Sequence, residues 1–324
     1  MAEPSSPAST GNASAVVIGG ANIDHKSQTL APPVLGTSNP GRSRSSSGGV
    51  GRNVADNLAR MGIRTSLVTC IGLDADGDRL ARETAGAGVD MGHTVRTSLP
   101  TGRYTAVLDD RGDMIVAVSA MDAIDEMSID LIDGSAALIA SSDILVLDCN
   151  IPEAALTRAA VIARASNVRI VVDPVSTPKA SRLRTLLAAS IPLHTITPNR
   201  EELDTLTGFA SASAGDLPAA ALLLHRAGVE NVWIRLGSYG SYFSSMAGGT
   251  ARAETIASYP STLVDATGAG DAMLAAYVAG LVKGLDPFAA ARLGSAAAAI
   301  TIESPLTVNP SISFALLAAR VTST

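Results

Sequence analysis

The run Asp265-Ala-Thr-Gly-Ala-Gly-Asp271 leads without a break into Ala272-Met273-Leu274-Ala275-Ala276-Tyr277. A glycine turn between two aspartates therefore opens an apolar helix. Gly268 and Gly270 permit tight or positive-φ backbone and a close approach to a ligand. The first helical turn then presents unpaired N–H groups. With the positive end of the helix dipole, these favour an anion such as a phosphate. Asp271 stands at the mouth of that site. A carboxylate there repels phosphate unless it has a separate task, such as taking the proton of a hydroxyl that attacks phosphorus. A plain helix cap is the competing account, since Asp caps helices well and Gly is common in turns. A P-loop is excluded, because no lysine follows Gly270 and that motif requires one. Val16-Val17-Ile18-Gly19-Gly20-Ala21-Asn22 resembles the first strand and turn of a dinucleotide-binding unit. It lacks the spaced third glycine, which argues against a nicotinamide dehydrogenase.

Strand-like and helix-like runs alternate through most of the chain. Strands are expected at Ala15–Gly20, Thr65–Ile71, Ile144–Cys149, Arg169–Val172, Thr195–Pro198 and Val232–Leu236, with a hairpin near Tyr242–Ala251. Helices are expected after Gly48, at Asp78–Ala87, Ile129–Ala140, Ala154–Ala165, Leu183–Ala188, Glu201–Thr207 and Ala219–Ala227, and twice near the end. This alternation predicts an α/β fold with a mostly parallel sheet covered on both faces. Two segments, near 24–47 and 101–120, do not fit it. The first is polar and too long for a plain loop. The second holds Tyr104–Asp109 and Met114–Ser119 around Asp110-Arg111-Gly112, a hairpin signal. Together they read as a small β lid.

Among the 324 residues, 47% are hydrophobic and 17% charged, as in a folded globular chain large enough for a sizeable core. The net charge of −6 argues against nucleic acid or an anionic membrane as the main partner. Cys70 and Cys149 lie in apolar runs and read as buried reduced thiols. Residues 1–14 are rich in Ser, Pro, Ala and Gly without an apolar stretch, so a disordered tail is expected there rather than a signal peptide. Cytoplasm is the expected compartment.

Other motifs surround the opening one. In Gly48-Gly49-Val50-Gly51-Arg52-Asn53, glycines allow close backbone approach and an amide can both donate to and accept from hydroxyls. Asn22 and Asp24 follow the first strand, at the edge where α/β sheets bind ligands. An ionised Asp24 can accept two hydrogen bonds from a vicinal diol. Asn199 and Glu202 are spaced either for a Mg2+–water shell or for an ordinary acidic helix start. Arg235-Leu236-Gly237-Ser238-Tyr239-Gly240 forms another glycine-bearing turn. Asp148 and Asn150 end a further strand and are candidates to line a pocket.

The set resembles the signatures of the ribokinase, or PfkB, family of sugar and nucleoside kinases, over residues 15 to about 320. Asp265, Gly268, Ala269, Gly270 and Asp271 fit its second signature, and Ala266 departs from it. The resemblance implies a ribokinase-like fold with ATP, Mg2+ and K+ as cofactors. Asp271 would be the catalytic base, and the Gly268, Ala269 and Gly270 backbone the anion hole. Asn22, Asp24, Gly48, Gly49, Asn53 and Asp148 would bind the acceptor. Asn199, Arg235, Gly237, Ser238 and Gly240 would bind the nucleotide, with Arg235 standing where threonine is usual. Glu202 would hold Mg2+ through water, and Asp265 and Thr267 would lie at a monovalent cation. A homodimer through the β lid is implied as well. Within the family, the strings Thr37–Gly41, Gly51–Arg60, Leu108–Met114, Asp148–Asn150 and Val172–Ser176 resemble most the kinases that act on pseudouridine. Other nucleosides or ribose, and a non-catalytic nucleoside-binding regulator, are the alternatives.

Overall fold

A computed structural model describes residues 13–322. In chain order its strands are β1 (Ser14–Ile18), β2 (Asn22–Thr29), β3 (Gly41–Gly48), β4 (Arg64–Val68), β5 (Cys70–Gly72), β6 (Val95–Thr97), β7 (Gly102–Leu108), β8 (Met114–Ala120), β9 (Ile144–Asp148), β10 (Arg169–Asp173), β11 (Leu193–Ile196), β12 (Val229–Arg235), β13 (Ser241–Ser245) and β14 (Arg252–Ile256). Eight of them form one sheet in the order β14-β13-β12-β11-β10-β9-β1-β4. From β4 to β12 the neighbours are parallel, and β13 and β14 are antiparallel. The inner strands are continuous Val, Ile and Leu runs, as required where both faces are covered. Two apolar cores result, one on each face. Cys70 and Cys149 are buried free thiols. No helix among the described residues is long and apolar enough to cross a membrane.

The helix Ala269–Val282 is buried along ten of its fourteen residues. A helix apolar all round must be covered all round, and here the sheet and the helix Pro287–Ile302 cover it. Tyr277 packs in a cluster with Trp233 and Phe243, and its hydroxyl bonds Thr195 Oγ1 at 2.8 Å. These contacts fix the helix, and with it the turn at its N-terminus.

The two segments left outside the alternation form a separate four-stranded sheet, β3-β2-β7-β8. In it β2 pairs antiparallel with β3 and parallel with β7, and β7 pairs antiparallel with β8. Several boundaries differ from the sequence expectation for local reasons. The first strand starts at Ser14, whose N–H and hydroxyl both donate to Asp143. The rest of the expected tail, residues 1–12, lies outside the described residues. The second helix begins at Ala75 rather than Asp78 because Asp74 caps it, accepting from Gly77 N at 2.8 Å. The helix expected at Ile129–Ala140 is broken at Ser135, whose hydroxyl bonds back to Leu131 O, a side-chain competition that interrupts helices.

Candidate active site

The site lies along the carboxyl ends of the parallel strands, where Asp148 ends β9, Asp173 ends β10 and Arg235 ends β12. This is the edge at which such sheets bind ligands. Gly268 caps the helix Ala269–Val282 at φ +84°, and a side-chain carbon there would collide with Thr307 O. Only glycine suits such a position. Asp271 follows in the first turn, half-buried, and its Oδ2 accepts from Asn53 Nδ2 at 2.8 Å. Burial pushes the Asp271 carboxyl up to about 7. The Asn53 hydrogen bond and the Arg235 guanidinium oppose that shift, while the Asp173 and Asp148 carboxylates reinforce it.

Asn53 belongs to the helix Val50–Arg60, whose start is set by Gly49 at φ +96° against the Gly20 carbonyl. Register brings Asn22 opposite Gly48 in the four-stranded sheet. Asn22 Nδ2 donates to Asp24 Oδ1 at 2.6 Å. Burial raises the Asp24 carboxyl above its ordinary value, against the Asn22 hydrogen bond and the nearby Lys26 and Arg52 charges. Asn22, Asp24, Gly48, Gly49 and Asn53 therefore gather at the junction of the two sheets. Of these, Asp24 lines a cavity of about 700 Å³ together with Lys26, Gln28, Arg44, Tyr104 and Thr267.

Asp148 is held by backbone donors instead. Its carboxylate is buried, Oδ2 accepting from Gly20 N at 2.8 Å and Gly51 N at 2.7 Å, and Oδ1 from Asn150 N at 2.8 Å. It ties the first turn to the helix Val50–Arg60 and shapes the acceptor side without lining it.

On the other flank of the Gly268 turn, a second cavity of about 640 Å³ is lined by Arg235, Gly237, Ser238, Gly240, Ala269 and Gly270 with apolar neighbours. Arg235 Nη1 lies beside Gly270, where a side-chain carbon would come within 2.9 Å of it. The guanidinium is ion-paired to Asp173 Oδ2 at 2.9 Å and Glu202 Oε2 at 3.2 Å, carboxylates only 2% and 1% exposed. It therefore faces the site rather than solvent. Asn199 and Glu202 form a capping box: Asn199 Oδ1 accepts from Glu202 N, and Glu202 Oε2 accepts from Asn199 N, each at 2.8 Å. With Arg235 also on Oε2, Glu202 has its oxygens occupied by protein donors. Among the described residues no group of three or more His, Cys, Asp or Glu side chains is arranged to hold a metal.

Asp265 and Thr267 are brought together, but with cations of the protein itself. Asp265 Oδ2 pairs with Lys26 Nζ at 3.2 Å and Arg44 Nη2 at 2.9 Å, and Lys26 Nζ donates to Thr267 Oγ1 at 2.8 Å. These side-chain oxygens, expected beside a monovalent ion, do not fit one: two protein cations already hold them.

The sequence matches the pfkB family carbohydrate kinase over residues 12–313. The chain belongs to the PfkB family of carbohydrate kinases. It is 33% identical over 302 residues to a pseudouridine kinase of Escherichia coli, covering 93% of this chain and 94% of that one. It is 31% identical over 257 residues to a ribokinase of Haemophilus influenzae, covering 79% and 80%. The structure of Arabidopsis thaliana ribokinase complexed with ribose and ATP superposes with a TM-score of 0.81 at 24% identity, over 95% of this chain and 98% of that one. That likeness fixes the ribokinase-like fold. As a PfkB kinase the chain is a phosphotransferase.

In this PfkB kinase, sequence reasoning missed Asp173, Lys26 and Arg44. Asp173 had a usable signal, an acidic residue at the carboxyl end of a buried strand. The two lid cations had none, because their partner stands over two hundred positions away.

Proposed function

We propose that this kinase transfers the γ-phosphoryl group of ATP to the 5'-hydroxyl of pseudouridine. The carrying observation is Asp271 in the first turn after Gly268, joined to the acceptor-side helix by the Asn53 hydrogen bond and with its carboxyl near 7. A base with that pKa is half ionised near neutrality, where proton abstraction is most effective. Asp271 takes the hydroxyl proton, the oxygen attacks the γ-phosphorus, and the bond to the bridging oxygen breaks to release ADP. The N–H groups after Gly268 and the Arg235 guanidinium stabilise charge on the transferring group. Asp24, with Asn22 and Asn53, holds the ribose. Gly237, Ser238 and Gly240 receive the nucleotide. Bound Mg2+ would neutralise phosphate charge. Glu202 and Asn199 are committed to the capping box, so neither would hold the ion directly, and any contact from Glu202 would run through water.

Pseudouridine is favoured by the 33% identity, across nearly the whole length, to a kinase of that name. Ribose is the second reading, favoured by the ribokinase at 31%. ADP release with pseudouridine, uridine, ribose and adenosine as acceptors decides between them. Pseudouridine should give the highest kcat/KM; equal values for pseudouridine and uridine would sink the substrate assignment. A homodimer through the four-stranded sheet is part of this proposal. Its edge strand β8 leaves Met114, Val116 and Val118 exposed, and an apolar unpaired edge is a template for a second copy.

A further inference from the structure

We propose that the Lys26 ammonium is the resident cation of the Gly268 turn, carried by the lid sheet in place of a monovalent metal ion. The inference rests on the kinase reading of that turn. Asp265 Oδ1 accepts from Thr267 N at 2.9 Å, which bends the chain just before Gly268. Asp265 Oδ2 and Thr267 Oγ1 then converge on Lys26 Nζ, at 3.2 and 2.8 Å. An ammonium has three donors and no acceptor, so it satisfies two convergent oxygens as a small metal ion would. Lys26 is the inner of the two lid cations: its side chain is 21% exposed, against 56% for Arg44. Burial disfavours the Asp265 carboxylate, yet the Thr267 hydrogen bonds and Lys26 outweigh it and hold the carboxyl down to about 2.

The lid has its own reason to present this charge. Lys26 and Arg44 are direct cross-strand partners of β2 and β3. Like charges in that position repel on a sheet surface. Asp265 sits against both and relieves the repulsion only while the lid sheet lies on the turn. The cation that organises the turn therefore arrives with the lid, and lid position and turn geometry become one variable. Lys26 is a positioning residue: it acts through Asp265 and Thr267 on the N–H groups that follow Gly268.

Turnover is measured in choline, sodium and potassium chlorides at equal ionic strength, alongside thermal unfolding in the same salts. The wild type should show the same kcat and melting temperature in all three. Lys26→Met should lose about tenfold to a hundredfold in kcat in choline, the scale of a small misplacement of reacting groups, with a smaller change in KM. Potassium or methylammonium should restore part of that loss and raise the variant's melting temperature. Neither should help Lys26→Met combined with Asp265→Asn. A wild type that needs potassium, or a Lys26→Met variant with full kcat in choline, overturns the proposal. Absence of turnover with every acceptor in every salt would instead count against the kinase reading, and the melting temperatures would still decide the cation.

Discussion

The eight-stranded sheet and the four-stranded sheet are made of opposite materials. In the first, β1, β9 and β10 are Val, Ile and Leu runs, buried almost throughout. In the second, β3 reads Gly-Arg-Ser-Arg-Ser-Ser-Ser-Gly and is exposed over most of its length. The large sheet holds its groups inside: Arg235 is paired with the buried carboxylates of Asp173 and Glu202. The small sheet is joined to the turn before Gly268 by ion pairs at Asp265. Pairs of this kind are worth little individually and weaken with salt. The scaffold thus rests on buried pairs, and the lid meets the turn through more exposed ones.

The strongest test of the scaffold side is Asp271→Asn. Loss of a general base costs ~100- to 10,000-fold in turnover, and circular dichroism should show the fold intact. A variant that keeps near-full kcat would break the assignment. Because burial raises the Asp271 carboxyl above its ordinary 3.8 to about 7, this group's contribution to stability is full below its unfolded value and is lost as pH rises through about 7. The Asn variant should therefore melt higher than the wild type at pH 8 and show no such advantage below pH 4.

Arg235→Met comes next. It leaves Asp173 and Glu202 buried without their cation, and breaking such a pair costs ~3–5 kcal/mol, read as a lower denaturation midpoint. A loss under ~1 kcal/mol, the scale of an exposed pair, would mean that this end of the scaffold behaves like the lid. A gentler handle is pH itself. The ionised base is required, so kcat/KM should fall about tenfold per unit below pH 7 and level off above it. A profile flat down to pH 5 would place the base elsewhere. The smallest effect belongs to the lid edge. Val118→Lys should shift the protein toward monomer in sedimentation while changing monomer stability by less than ~0.5 kcal/mol. An unchanged association state would remove β8 from the interface.

What could be read from the sequence follows the same division. The Gly268–Asp271 turn was legible because its signals are local: a positive-φ glycine, a helix start and a carboxylate all lie within four residues. The parallel sheet was legible from its apolar runs. Asn199 and Glu202 were legible as a helix start, but spacing could not tell a capping box from a metal shell, since both want a carboxylate and an amide three apart. Asp148 was placed at the correct strand end and given the wrong surroundings, because its partners Gly20 and Gly51 come from other elements. Lys26 and Arg44 look like solvated charges in a polar segment. Only the register of β2 against β3, and the approach of that sheet to Asp265, reveals them as a pair with one counter-ion.

The aromatic cluster behind the site has a practical side. Trp233 is the only tryptophan in the chain. Its ring is fully buried with its centroid 5.1 Å from that of Tyr277, on the helix that begins just before Asp271. The protein thus carries its own optical gauge. Emission from one indole reports whether that helix is seated, without a dye, a tag or an added chromophore.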